Sequence, residues 1–408
     1  MLPNLGRLSL QQADTRVVFA YNDTEKWDRA YDQKFQENEC SICFERFKEG
    51  DELVVLNCGH VFHEGCFRQW DQNKRNCPLC RRDVEDEDLL TFEELFLKAA
   101  KYGDLAKVTQ MLKDGIDVNA HDEDGSTALM WACVNEHTHV AIALVKHKDI
   151  KVKLMNNNDN TALHWASRQG MLAVVKELIA KDADVNKQNK SGNTALIWAC
   201  EKNHADIALA LLESKNIDVD LANYNGGTAL HWASREGILA VVEELIAKDA
   251  EVNKQNKSGN TALIGACKYK QPDVALALLE SKDIEVDLAN ETGENALYWA
   301  SSQKMLAVVK KLIEKDAYVN KQNILGNTAL ILACYKNHTD VALALLEDDD
   351  IDVNLANQNG ITALHLTSEK GMLAIVEKLI EKGADVNIQD EDGDTALIGA
   401  CQYKQSDV

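Results

Sequence analysis

The sequence predicts two architectures in tandem: a small module held together by bound metal, then an all-α solenoid of short repeats. Three observations predict this. Six of the 11 cysteines crowd between residues 40 and 80, with two histidines among them. A Thr-Ala-Leu landmark recurs every 33 or 34 residues from Thr127 onward. The 408 residues include only 3 prolines, where average usage would give about 20, a depletion that favours helix over loop-rich folds.

Composition narrows the function classes. Acidic residues number 66 against 44 basic ones, a formal charge of −22, which argues against nucleic acid as a general partner because phosphate binding needs a basic surface. No apolar run reaches the 18 to 20 residues that span a bilayer, so no membrane partner is expected. The start, MLPNLGRLSLQQ, lacks the apolar core of a secretory signal. The expected compartment is therefore reducing, the cytoplasm with the nucleus as the alternative, and cysteines there are metal ligands or buried thiols rather than disulfides.

In residues 1–39, Trp27, Tyr31 and Phe35 stand at i, i+4 and i+8, which predicts a helix over 24–37 with one aromatic face. Residues 40–83 form the metal module. CSIC, CGHVFHEGC and CPLC supply four pairs: Cys40/Cys43, Cys58/His60, His63/Cys66 and Cys77/Cys80. Eight thiolate or imidazole ligands satisfy two tetrahedral structural zinc ions and leave no open coordination position, which excludes catalytic zinc. Spacing alone leaves open whether the pairs are used sequentially or interleaved. About 45 residues make too small a core to fold unaided, and zinc binding of roughly 10–16 kcal/mol per site would supply the difference.

This string resembles the RING domain, in the variant with two central histidines. The resemblance implies a treble-clef-like fold with two interleaved zinc sites: Cys40, Cys43, His63 and Cys66 on one ion, Cys58, His60, Cys77 and Cys80 on the other. It also implies an activity. RING ubiquitin ligases dock a ubiquitin-conjugating enzyme on an apolar patch, matched here by Ile42, Trp70 and Pro78, and contact ubiquitin through a basic residue after the last ligand, matched by Arg81. Such a ligase carries no nucleophile of its own and promotes direct transfer of ubiquitin to a substrate lysine. The aromatic face over 24–37 is expected to pack against this RING or, in a RING dimer, against a partner RING.

The acidic run within 84–91 reads as a connector, and residues 92–408 as the solenoid. Thr-Ala-Leu begins at Thr127, Thr161, Thr194, Thr228, Thr261, Thr328, Thr362 and Thr395, with Asn295 in the remaining slot. In each unit the Thr is placed to cap a short helix, a second helix carries apolar residues at helical spacing, and a polar turn leads to the next unit. Pro272 falls in the first turn of a second helix, which tolerates it. No unit can bury its own apolar face, so stability must come from stacking. The pattern resembles the ankyrin repeat, with alanine in the family's proline slot and Asp159 in place of a turn glycine. Residues 92–119 read as a leading repeat, giving about nine full repeats and a truncated last one that stops at Val408.

Cys133, Cys200, Cys267, Cys334 and Cys401 occupy one equivalent helical position and are expected to be small core residues. His164, His231 and His365 read as hydrogen-bonded structural residues. Trp131, Trp165, Trp198, Trp232 and Trp299 either wedge between repeats or line a partner-binding groove. The combined expectation is a ubiquitin ligase whose RING engages the conjugating enzyme and ubiquitin while the repeats recruit a protein substrate or adaptor. The alternative is a non-catalytic scaffold in which the RING only dimerises or docks.

Overall fold

The computed structural model describes residues 18–19, 40–45, 53–55, 60–74, 76–79, 81 and 92–407. The expected helix at 24–37, the connector at 84–91 and two of the expected ligands, Cys58 and Cys80, lie outside them. The chain divides into two compact units, Met1–Asn157 and Asn158–Val408. No helix among the described residues is long and apolar enough to cross a membrane.

Near the N-terminus, β2 (Leu53–Val55) pairs antiparallel with β3 (Val61–His63), and β1 (Val18–Phe19) adds in parallel to the other edge of β2. The sequence gives no sign of β1, because two residues carry no readable period. Helix α1 (Glu64–Lys74) follows β3 directly. The buried core here is small: Phe62 and Phe67 stack with ring centroids 5.6 Å apart, flanked by buried Cys40 and Cys77.

Nineteen further helices are described. The first unit holds α2 (Phe92–Tyr102) with α3 (Leu105–Lys113), and α4 (Ala128–Val134) with α5 (Thr138–Val145). The second unit opens with α6 (Ala162–Arg168) and α7 (Leu172–Ala180), then α8 (Ala195–Glu201) and α9 (Ala205–Leu212), then α10 (Ala229–Glu236) and α11 (Leu239–Ala247). It continues with α12 (Ala262–Lys268) and α13 (Pro272–Leu279), α14 (Ala296–Ser302) and α15 (Leu306–Glu314), and α16 (Ala329–Tyr335) and α17 (Thr339–Leu346). The last pair is α18 (Ala363–Glu369) and α19 (Leu373–Glu381), followed by a single helix, α20 (Ala396–Gln402). The described helices of the repeat region form nine pairs and one unpaired helix. Within the second unit each first helix packs on the next first helix, and each second helix on the next second helix.

The caps are those the sequence predicts. Thr194 takes an extended backbone and its hydroxyl accepts from the Ile197 N–H at 3.2 Å; Thr261 and Thr328 do the same. Asn295, in the remaining slot, accepts from Tyr298 N–H at 3.0 Å. Such caps are each worth about 1 kcal/mol. Pro272 is the first residue of α13, where its missing N–H leaves no bond unmade. Asp159 adopts the left-handed φ of +57° that Gly192 adopts, at +76°, in the next turn. At Gly192 a Cβ would also lie 2.8 Å from the Asn223 Cα, so glycine is needed there for close approach of the next repeat.

A second set of polar links, not foreseen from sequence, runs between repeats. Asn189 Oδ1 accepts from Ser191 and Asn193 N–H and so closes its turn, while its Nδ2 donates to Asn160 Oδ1 of the preceding repeat at 2.8 Å. Asn223 repeats this onto Asn193, Asn290 onto Asn260 and Asn357 onto Asn327. Farther along each repeat, His204 Nε2 donates to the Arg168 carbonyl and Gln271 Nε2 to that of Arg235.

One expectation fails. Cys133, Cys200, Cys267 and Cys334 are buried, but Cys401 is exposed. Among the described residues no second helix and no further repeat covers that face of α20.

His164, His231 and His365 are structural, as the sequence suggests. His164 Nδ1 accepts from the Thr161 N–H at 3.1 Å and its Nε2 donates to the Asn193 carbonyl at 3.1 Å. This pattern requires the neutral ring. Burial opposes the charged form as well, and lowers the His164 pKa from 6.5 to about 4; the His231 value falls for the same reason. The unfolded chain therefore binds the extra proton first, so stability falls as pH drops from 6.5 toward 4, by up to about 1.4 kcal/mol per pH unit at one site. In urea unfolding of the full chain between pH 7.5 and 4.5, the double variant His164→Gln/His231→Gln should start less stable and lose less on acidification than wild type. Parallel pH profiles would exclude these histidines as the source.

Candidate functional site

Two equivalent turns build the metal centre. In the first, Phe44 N–H donates to the Cys40 carbonyl at 2.7 Å and Phe44 takes a φ of +61°; in the second, Arg81 N–H donates to the Cys77 carbonyl at 2.9 Å and Arg81 takes a φ of +60°. The left-handed residue after each Cys-x-x-Cys folds the chain back on itself, at a backbone cost of order 1–3 kcal/mol for a non-glycine residue. His63 ends β3 and Cys66 lies in the first turn of α1, so strand and helix deliver the central pair.

Donor atoms of Cys40, Cys43, His63 and Cys66 all lie within 4.8 Å of one another, with Cys43 Sγ 3.3 Å from His63 Nδ1. Zinc bonds of ~2.3 Å to sulfur and ~2.0 Å to nitrogen put tetrahedral donors about 3.6 Å apart, so this set fits the ion. Cys77 Sγ lies 3.5 Å from His60 Nδ1, the same kind of approach. Pairs distant in sequence are thus brought together: first with third, and the histidine of the second with the fourth.

The charge state of the first set also asks for a cation. At Cys40 burial opposes ionisation, but backbone N–H groups of Cys43, His63 and Ile42 bring the thiol down to about 7. Cys66 is driven up to about 12 by burial, its hydrogen bond with Cys43 and the negative charge of Cys40 and Cys43. Three thiols cannot ionise side by side unless a positive ion offsets their repulsion.

Around this centre, Ile42 is half-buried against the Phe62–Phe67 core. Trp70 is half-buried on α1 and its indole N–H donates to the Asn76 carbonyl at 3.1 Å, so its ring is anchored. Pro78 is half-buried and Arg81 exposed. Two residues that the sequence reading passed over are also presented to solvent: Phe44, 76% exposed, and Leu79, 50% exposed. Leu79 stands two residues after Cys77, as Ile42 stands two after Cys40, and that equivalence was the available signal.

A family profile for ring finger domains matches residues 38–81. Profiles for ankyrin repeats match in overlapping segments from 96–189 to 350–408. The chain belongs to the ankyrin-repeat family. It carries a RING of the two-histidine type near its N-terminus, followed by the repeats. Over 64 residues it is 44% identical to the E3 ubiquitin-protein ligase trul-1 of Caenorhabditis elegans, covering 16% of this chain and 14% of that protein. It is 43% identical over 77 residues to the RING-H2 finger protein ATL1 of Arabidopsis thaliana, covering 19% and 20%. Over 321 residues it is 23% identical to the putative ankyrin repeat protein L371 of Acanthamoeba polyphaga mimivirus, covering 71% of this chain and 42% of that protein. The chain thus matches a fifth or less of the first two relatives.

The five tryptophans of the ankyrin repeats are all half-buried. Trp131 Nε1 donates to Asp122 Oδ2 at 2.8 Å. Before Trp232 and Trp299 asparagine fills the Asp122 slot and its single oxygen closes the turn. The indole N–H groups of Trp165, Trp232 and Trp299 are buried with no acceptor among the described residues. Cations cover the rings: Lys101 over Trp131, and Arg168 over both Trp165 and Trp198.

If zinc supplies the energy that this small core lacks, chelation of the full chain should release zinc and abolish the N-terminal structure while the far-ultraviolet helical signal persists. Cys40→Ser should do the same. Loss of most helical signal at the same chelator concentration would contradict separate energy sources.

Proposed function

We propose that the chain is a RING-type ubiquitin-protein ligase. Cys40, Cys43, His63 and Cys66 hold one zinc ion, and Cys58, His60, Cys77 and Cys80 a second, giving the interleaved pairing that the resemblance implies. The approach of Cys43 to His63 supports the first site and that of Cys77 to His60 the second. The zinc ions act structurally, fixing the two turns that present Ile42, Pro78 and Leu79. With Trp70 these side chains form the apolar patch for a ubiquitin-conjugating enzyme, and exposed Arg81 offers a planar fork of donors to ubiquitin. The observation that carries this reading is the pair of equivalent turns, each closed on a cysteine and each followed by an exposed side chain.

Catalysis then consists of positioning. The ligase holds the ubiquitin thioester so that a substrate lysine amine attacks its carbonyl and the conjugating enzyme's thiolate leaves, with less orientational entropy to lose. No covalent intermediate forms on this chain. Cys133, Cys200, Cys267 and Cys334 support that step, since burial pushes their thiols up to about 12 and removes them as nucleophiles. The ankyrin repeats recruit the substrate or adaptor. A reducing compartment, cytoplasm or nucleus, keeps the ligand thiols available for zinc.

Purified full-length protein should build ubiquitin chains with at least one of a panel of conjugating enzymes. Ile42→Ala and Arg81→Ala should each lower the rate at least tenfold with zinc content unchanged, and Cys401→Ser should leave it unchanged. Silence of the wild type, or full activity of both zinc-loaded variants, would favour the scaffold reading. Loss of activity in Cys401→Ser would overturn direct transfer.

A further inference from the structure

In the second unit, cations on the first helices sit against aromatic rings. Arg168 lies 5.5 Å from the Trp165 ring centroid and 4.7 Å from that of Trp198, between two successive repeats. Arg235 repeats this a pair of repeats later, 5.2 Å from Trp232 and 4.7 Å from Tyr269. Lys268 lies 4.7 Å from the Trp299 centroid and Lys370 5.0 Å from that of Tyr335. Ring contacts of this kind are worth about 0.5–1 kcal/mol at exposed sites.

These cations form part of a face whose sign opposes that of the chain. Each of the eight first helices from α6 to α20, taken with the turn that leaves it, carries at least one Lys or Arg. The acidic side chains there are Glu201, Glu236 and Glu369 alone. In a chain of net charge −22 this is a segregated basic strip. Helix macrodipoles favour cations at C-termini, and four second helices of this unit do end on Lys181, Lys248, Lys315 and Lys382. The other three end on Glu213, Glu280 and Glu347, whereas every first helix keeps its cation. The segregation follows the face.

Arg168 and Lys268 have no ion pair with any carboxylate among the described residues. Arg235 has only its neighbour Glu236, at 3.4 Å and solvent-exposed, a weak contact. A guanidinium held against two rings is fixed in orientation and keeps N–H groups free at its edge, which suits a carboxylate.

We propose that this face binds an extended acidic peptide segment of the recruited protein, with carboxylates on Arg168, Arg235 and Lys268. The inference deepens the recruitment half of the proposed function and rests on it. Two helix layers of 8–10 Å separate Arg168 from Arg235, roughly 16–20 Å. An extended chain rises ~3.3 Å per residue, so the paired acidic residues stand about five or six apart.

The test uses the full chain and a fluorescein-labelled 16-residue Gly/Ser peptide with three glutamates, spaced about six and then about three residues apart to match two layers and then one, read by anisotropy. Saturable binding is expected, weakening at least tenfold between low and physiological salt, and at least tenfold in Arg168→Gln/Arg235→Gln/Lys268→Gln. Salt dependence in the wild type keeps the test open should the triple variant fold poorly. Equal binding by the glutamine counterpart, tighter binding by a single-stranded oligonucleotide, unchanged affinity in a folded triple variant, or no binding would each overturn the inference. Ubiquitin-chain formation without substrate depends on the RING alone. Failed peptide binding with intact chain formation therefore sinks the acidic-segment inference and leaves the ligase proposal standing.

Discussion

Everything in the repeat region depends on one constraint: no repeat can bury its own apolar face. The chain contains its own comparison. Thr-Ala-Leu-Ile-Gly-Ala-Cys occurs at Thr261–Cys267 and again at Thr395–Cys401, and both copies form the same helix. Leu263, with a repeat on each side, is 1% exposed; Leu397 is 67% exposed. Thr261 makes its cap bond, and Thr395 makes none. Local sequence therefore chooses the helix, while the neighbouring repeat provides its energy, about 2 kcal/mol for a leucine taken fully out of water.

Apolar burial is not directional, so register needs another source. The bonds from Asn189 to Asn160, His164 to the Asn193 carbonyl and His204 to the Arg168 carbonyl each join one repeat to its neighbour at a fixed offset. Slipping the stack by a residue would leave these buried groups unpaired, at roughly 1–3 kcal/mol each. The asparagine also explains a cost borne by the tryptophans. Asp122 has two oxygens, one for its turn and one for Trp131. Asparagine trades the second oxygen for a donor that reaches the preceding repeat, and the indole N–H of Trp232 is left without a partner.

The repeat pattern and the caps were legible in sequence because each rests on a fixed offset within one unit; the histidines were legible as structural residues, but not their bonds to the next repeat. What escaped reading depends on pairing across distance or on position in the array. The asparagine ladder joins residues 29 or 30 apart. Strand β1 meets β2 across more than thirty residues. Cys401 shares its local sequence with Cys267 and differs only in what covers it. In the RING, spacing identified the ligand pairs but left their pairing open; the approach of Cys43 to His63 comes only from the fold. The tryptophan positions were visible, but not the cations across their rings, since Arg168 reaches Trp198 of the following repeat.

The two parts of the chain thus answer the same problem of insufficient core in different ways. The described part of the RING buries two phenylalanines and gathers thiols whose mutual repulsion a dication would relieve; the repeats have ample apolar surface and share it. A consequence follows for charge. A net −22 repels acidic partners at long range, but salt screens that field beyond about 8 Å. Within that distance the basic first-helix face governs. Long-range repulsion combined with short-range attraction penalises acidic chains in general and leaves a gain only for a segment whose carboxylates reach several cations at once. Selection on such a face comes from spacing rather than from charge alone, and the spacing is set by the same stacking that gives each leucine its burial.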